Sequence, residues 1–183
     1  MSISRRLSGG LALALVAIPL PPATLASADN TPASVVSVLA PIPAVAAIEA
    51  KLGSMTIREG PIEDFSSEGS RAVTYSGADS TCKIDVTVLR ERGRSRLEFW
   101  WQGQVLLAAR ERVWDYGDWI TALSTDKSLP MALVGDDLVD YGSVGARLWS
   151  KGGTPVSGVP ARERADELAA TASQIRAAVE GHR

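Results

Sequence analysis

The sequence predicts an α+β fold, in which an antiparallel β-meander sheet packs against a C-terminal amphipathic helix, with short helices elsewhere. From Cys82 to Trp114, apolar and polar residues alternate in three runs, which is the period of strands with one buried face. Between Pro160 and Gly181 apolar residues recur at helical spacing. Half of this stripe is alanine, so we expect it to approach a face of the meander closely. The stripe consists of Ala161, Ala165, Leu168, Ala172, Ile175 and Val179.

The first 28 residues have the organisation of a secretory signal peptide. Arg5 and Arg6 form a positive head, an apolar run follows, and Ala26-Ser27-Ala28 is a small-residue cleavage site. The apolar run is too short for a membrane span, which needs about 20 residues. We therefore expect export by the general secretory pathway, to the periplasm or the medium, with cleavage after Ala28 and no integral membrane span afterwards.

The chain then divides into an Ala/Pro-rich spacer, 29–43, and a single α+β domain, 44–183. Three prolines discourage regular structure in the spacer. A short helix is predicted to begin near Ala44 and to end at Gly53, with Val45, Ile48 and Leu52 on one face.

Two strands are predicted before the meander, at 55–62 and at 71–77. In the second of these, Val73 and Tyr75 share a side. With the meander they give a sheet of four or five antiparallel strands.

The first hairpin of the meander has a register that the apolar pattern selects. A four-residue loop over 90–93 sets Ile84 opposite Phe99 and Cys82 opposite Trp101. A loop one residue shorter would send each apolar row to the wrong face, because side chains alternate along a strand.

The second hairpin is predicted to turn at Gln102-Gly103, which sets Phe99 opposite Leu106 and Leu97 opposite Ala108. The opposite face is then mixed, with Lys83, Asp85, Arg96 and Glu98 around the apolar centre that Trp100, Val105 and Leu107 form. The predicted buried face consists of Cys82, Ile84, Val86, Val88, Leu97, Phe99, Trp101, Leu106 and Ala108.

After Trp114 the pattern changes. A short helix is predicted to start at Asp118, and two short strands are predicted around a Gly135-Asp136 turn. The segment 150–160 is predicted to be a Gly/Pro/Ser loop.

Composition excludes several function classes. A formal charge of −2 gives no electrostatic footprint for nucleic acid or an anionic membrane. His182, the only histidine, stands next to last, where a catalytic base or zinc ligand would be poorly held.

Cys82 is the only cysteine, and its place in the apolar row predicts a thiol packed in the core. Ser80 and Lys83 match an S-x-x-K pattern, but the lysine falls on a strand rather than one helical turn after the serine. We expect neither a catalytic residue nor a metal or other cofactor.

The candidate ligand- or partner-binding residues are aromatic side chains near one sheet face and its exit turn, together with an arginine. Such residues stack on rings or anchor protein interfaces. The aromatic side chains are also candidates for core packing, and the hairpin arginines for protection of a sheet edge. The set is Trp100, Arg96, Trp114, Tyr116 and Trp119.

The sequence thus favours an exported, non-catalytic domain that binds an unidentified ligand or an envelope protein through this face. A small hydrolase or lyase that uses Asp115, Asp118 or Asp137 is the first alternative. An envelope structural component, tethered by the spacer, is the second.

Overall fold

A computed structural model describes residues 42–63, 65–116, 131–142 and 145–181. These residues all fall within one compact unit, Pro32–Arg183. An eight-stranded antiparallel sheet packs against a long C-terminal helix, and a short helix lies near the start of the described chain. The predicted α+β class is confirmed.

Each strand pairs with its neighbours in sequence, so the sheet order is β1 to β8 without a crossover. The predicted number of strands, four or five, is therefore too low. The helices are α1 (Pro43–Glu49) and α2 (Val159–Gly181), with a 3₁₀ turn at Leu52–Ser54. The strands are β1 (Thr56–Pro61), β2 (Ser70–Ser76), β3 (Thr81–Arg90), β4 (Gly93–Gln102), β5 (Val105–Asp115), β6 (Ala132–Asp140), β7 (Arg147–Ser150) and β8 (Thr154–Val156).

The register of the β3–β4 hairpin agrees with the prediction, since Ile84 pairs with Phe99 and Cys82 with Trp101. The strands extend further than predicted, to the Arg90–Gly93 pair, so the turn itself has two residues. Gly93 fits this end of the hairpin because a Cβ there would lie 2.0 Å from the carbonyl oxygen of Trp114.

The predicted register of the β4–β5 hairpin is wrong. The chain turns at Gly103, which has a φ of 56°, one residue later than predicted, and Gln102 pairs with Val105. A β-bulge between Trp100 and Trp101 then shifts the register again. Ala109 consequently takes the place opposite Phe99, and Ala108 moves to the other face.

The C-terminal part of the sheet also corrects the prediction. β6 runs unbroken through Gly135 and Asp136, where a turn was expected. Gly135 instead lies beside a register shift between Val113 and Trp114. The predicted loop at 150–160 contains a turn followed by β8.

One face of the sheet, here called the helix face, packs against α2. The stripe of α2 is buried from Ala161 to Ile175, and Val179 is partly buried, as its spacing predicts. Tyr141 adds a hydrogen bond from its hydroxyl to the carbonyl oxygen of Ala165, at 2.6 Å. The sheet residues of this core are Ala72, Ile84, Val86, Val88, Leu97, Phe99, Trp101, Ala109, Val139 and Leu148.

The helix α1 packs on the opposite face of the sheet. Val45 and Ile48 are buried there, and Leu52 packs beside them, as predicted. Ile42 is buried in the same cluster and Pro43 opens the helix, so both residues belong to the folded domain. Four predicted features lie outside the described residues: the predicted signal peptide, the rest of the predicted spacer, the helix predicted at Asp118, and His182.

Candidate functional site

The sheet face opposite α2 carries charged side chains that are mostly buried, and it is here called the ionic face. The bulge at Trp100 creates this arrangement, because it sets Arg110 opposite Glu98 and Arg112 opposite Arg96. The predicted register would have placed Leu107 and Ala109 at those positions. The ionic face comprises Lys83, Asp85, Arg96, Glu98, Arg110, Arg112 and Asp136.

Glu98 lies at the centre of the ionic face and is 4% exposed. Its Oε1 is 3.1 Å from Lys83 Nζ, and its Oε2 accepts a hydrogen bond from Arg112 Nη2 at 2.7 Å. Burial raises the pKa of Glu98, but the nearby cations outweigh burial and hold this pKa below its usual value. The pKa of Lys83 is correspondingly raised, because the attraction of Glu98 and Glu49 outweighs the burial that lowers it. Both side chains are therefore charged.

Two further ion pairs flank this centre. Arg96 Nε lies 2.8 Å from Asp85 Oδ1, and Arg96 Nη2 also bonds Asp85. Arg110 and Asp136 make two parallel bonds of 2.8 Å, and the arginine is 1% exposed. Such forked contacts fix the plane of each guanidinium group.

Trp100 is fully buried beneath α1 and is not available to a ligand, which corrects its assignment as a binding residue. Its Nε1 donates a hydrogen bond to Glu49 Oε1 at 2.7 Å. Lys83 Nζ lies 2.8 Å from the same oxygen and 5.3 Å from the centre of the Trp100 ring. Trp100 thus joins α1 to the ionic face, and α1 covers this part of the predicted apolar centre, whereas Val105 is exposed.

Trp114 and Tyr116, at the end of β5, are half-buried. The guanidinium carbons of Arg94 and Arg112 lie 5.0 and 5.5 Å from the Trp114 ring centre. Arg94 pairs with Trp114 across the strands, and Arg96 follows on the same face of β4. The group Arg94, Arg96, Trp114 and Tyr116 is here called the cation–aromatic patch. Trp119 lies outside the described residues.

The structure thus brings together Arg96, Trp114 and Tyr116 of the predicted set, and it separates Trp100 from them. Sequence reasoning missed the roles of Arg94 and Arg112 as partners of Trp114. The available signal was the alternation of arginines along β4 and β5. It was not sufficient, because the pairing of Arg110 opposite Glu98 depends on the bulge.

The acidic residues considered for catalysis are engaged in ion pairs. On the helix face, Arg164 of α2 pairs with both Asp137 and Glu111. Its Nε lies 2.9 Å from Asp137 Oδ2. Asp115 lies 3.9 Å from Arg92. Asp118 lies outside the described residues. Lys83, in the S-x-x-K pattern, lies on β3 and pairs with carboxylates rather than with Ser80.

Within the described ranges, no group of three or more His, Cys, Asp or Glu residues is arranged to hold a metal ion. No helix in the same ranges has the length and apolar character needed to cross a membrane. Comparison of this chain with protein-family models, with curated proteins and with solved structures gave no match.

Proposed function

We propose that this chain is an exported, non-catalytic binding domain, and that its cation–aromatic patch recognises an anionic partner. The observation that supports this best is the half-buried Trp114 with two guanidinium groups stacked on its ring. Tryptophan and arginine are the residues that contribute most often to binding energy at interfaces. Guanidinium groups also carry a permanent positive charge, which attracts carboxylates and phosphates.

The ionic face supports this proposal because it holds the patch in place. Arg112, which stacks on Trp114, is anchored by Glu98, and Arg96 is anchored by Asp85. Side chains that are ordered before binding lose less conformational entropy when a partner arrives. A preorganised patch is therefore expected to bind more tightly than the same residues on a mobile loop.

Export is the second part of the proposal, and the residues Met1 to Ala28 carry it. Expression of the full chain in a bacterial host, followed by cell fractionation, tests it. We expect a processed product outside the cytoplasm whose first residue is Asp29. An unprocessed product in the cytoplasm would contradict export.

Binding is tested by titration of the mature domain with poly-L-glutamate and, separately, with polygalacturonate, with tryptophan fluorescence as the readout. We expect saturable binding that weakens as salt is added, since screening reduces attraction between exposed charges. The Trp114→Ala variant should bind at least about tenfold more weakly, the loss expected for an interface anchor.

Trp149 provides a matched control, because Arg147 lies 5.5 Å from its ring centre at another part of the same sheet. The Trp149→Ala variant should bind both polymers like the parent domain. Equal losses in the two variants, or no binding of either polymer by the folded parent, would overturn the patch as the binding site.

A further inference from the structure

The strand β1 is an edge strand, and its outer side is unpaired in the part of the chain that the structure describes. Ile62 donates its N–H to the carbonyl oxygen of Ser70, so alternate residues before it also point their backbone groups toward β2. The backbone groups of Ile57 and Glu59 consequently point outward. Pro61 is tolerated in this strand because its nitrogen, which carries no hydrogen, also points away from β2.

A groove of about 210 Å³ runs beside this edge, on the side of the sheet that α2 covers. Small residues create it, because Gly60 has no side chain and Ala72 and Thr74 on β2 are short. Val179, near the end of α2, forms the far wall. A Cβ added at Gly60 would meet no atom within 4 Å, so the space over this residue is open.

Arg58 lines the same groove, is exposed, and forms no ion pair with any described residue. By contrast, the neighbouring Glu59 pairs with Arg71 on β2, at 2.6 Å. The groove thus combines an apolar space at Gly60 with an available cation two residues earlier on the same face of the strand.

We propose that the edge of β1 accepts an extended segment of a partner protein as a ninth strand of the sheet. Added strands gain affinity from backbone hydrogen bonds and specificity from pockets for alternate side chains. The segment would place an apolar side chain in the groove at Gly60 and an aspartate or glutamate beside Arg58. These two side chains stand two positions apart in the partner, because residues i and i+2 share a strand face.

A second copy of this chain would meet charge repulsion in two of the registers that antiparallel self-pairing of β1 allows. Antiparallel self-pairing with Ile57 opposite Glu59 would set Arg58 against the Arg58 of the second copy. Pairing with Glu59 opposite itself would set two carboxylates together. Like charges directly across a strand pair are destabilising.

The probe is a fluorescent, end-capped threonine peptide with one leucine and one aspartate two positions apart, and the readout is anisotropy with the mature domain. We expect saturable binding below about 1 mM. A peptide with lysine in place of the aspartate should bind at least about tenfold more weakly. A peptide N-methylated at the residues that face the edge should not bind, because it cannot donate backbone hydrogen bonds.

Two variants of the domain locate the site. Gly60→Leu puts a side chain into the groove from a position where a Cβ meets no atom within 4 Å, and it should abolish peptide binding, whereas Gly53→Leu, where a Cβ is equally unobstructed, should leave binding unchanged. Arg58→Glu should reverse the preference, so that the lysine peptide binds better than the aspartate peptide. Trp114→Ala should leave peptide binding intact, which separates this proposal from the function proposed for the cation–aromatic patch.

The proposal is overturned if the aspartate peptide fails to bind at about 1 mM, or if Gly60→Leu binds it as the parent does. Sedimentation of the domain without peptide tests whether a second copy of the chain occupies the edge instead. Reversible dimerisation that Gly60→Leu abolishes would assign the edge to a second copy and contradict a partner segment.

Discussion

The two faces of the sheet are buried to a similar extent by different chemistry. On the helix face, Phe99 is 0% exposed within an apolar core closed by the alanine-rich stripe of α2. On the ionic face, Arg110 is 1% exposed and is held by a forked pair with Asp136. Apolar burial is non-directional, whereas each buried charge needs a partner at a defined position. The comparison teaches that substitutions of similar size should be tolerated on the helix face, whereas the ionic face requires each charged residue and its partner.

Removal of the central carboxylate should have the largest effect. Glu98→Ala leaves Lys83 and Arg112 as buried cations without their shared partner. We expect a loss of about 3–5 kcal/mol in the free energy of unfolding, the usual cost of breaking a buried ion pair from one side. Urea denaturation measures it, with the exposed Glu163→Ala as control. A loss below about 1 kcal/mol would show that the ionic face is solvated.

On the helix face, truncation of one apolar side chain should cost somewhat less. Leu168 of α2 is 1% exposed, and Leu168→Ala removes apolar contacts and leaves a cavity. We expect a loss of about 2–4 kcal/mol by urea denaturation. Glu163 on the same helix is exposed and forms no ion pair with a described residue, so Glu163→Ala should change stability by no more than about 0.5 kcal/mol. Equal effects of the two substitutions would contradict the packing of α2 on this face.

Acid should lower the contribution of the ionic face to the free energy of unfolding more than that of the helix face. Because the folded state lowers the pKa of Glu98, this group stabilises the protein above its unfolded pKa of about 4.3 and loses that contribution as the pH falls through the folded pKa. Below about pH 4.3, the stability of the parent should therefore fall more steeply with pH than that of Glu98→Gln, by up to about 1.4 kcal/mol per pH unit. Urea titrations at several pH values test this. Identical slopes would exclude a lowered pKa at Glu98.

The ion pair between Arg176 and Glu180 on α2 should show the smallest effect. Arg176 Nε lies 3.0 Å from Glu180 Oε1, one turn along the helix, and the Glu180 side chain is 47% exposed, against 15% for Arg176. Glu180→Gln should cost about 0.3–0.5 kcal/mol, as for other surface pairs at this spacing. Thermal denaturation with and without added salt measures it. A loss as large as that of Glu98→Ala would remove the distinction between buried and exposed pairs.

The helix face could be predicted from the sequence because apolar alternation in the strands and the stripe from Ala161 to Ile175 in α2 indicate which side chains are buried. The ionic face could not, since its pairing depends on a bulge at Trp100 that displaces the register of β5. Opposite this bulge the residues Leu106 to Ala109 are all apolar, so the sequence shows no break in alternation there, and Gly135 could equally mark a turn or an irregular strand. Of the candidate site, Trp114 lies on β5 and Tyr116 directly follows this strand, near the end of the sheet that the sequence indicated. The burial of Trp100 follows from α1, whose docking surface the sequence did not identify.

A double-mutant cycle between Glu98 and Arg112 tests the central claim most directly, namely that buried ion pairs hold the ionic face together. The single variants Glu98→Gln and Arg112→Met and the double variant are compared by urea denaturation, and a cycle with Glu180→Gln and Arg176→Met serves as the reference. We predict a coupling free energy above about 1.5 kcal/mol for the buried pair, against less than about 0.5 kcal/mol for the more exposed pair on α2. Equal coupling in the two cycles would contradict the account.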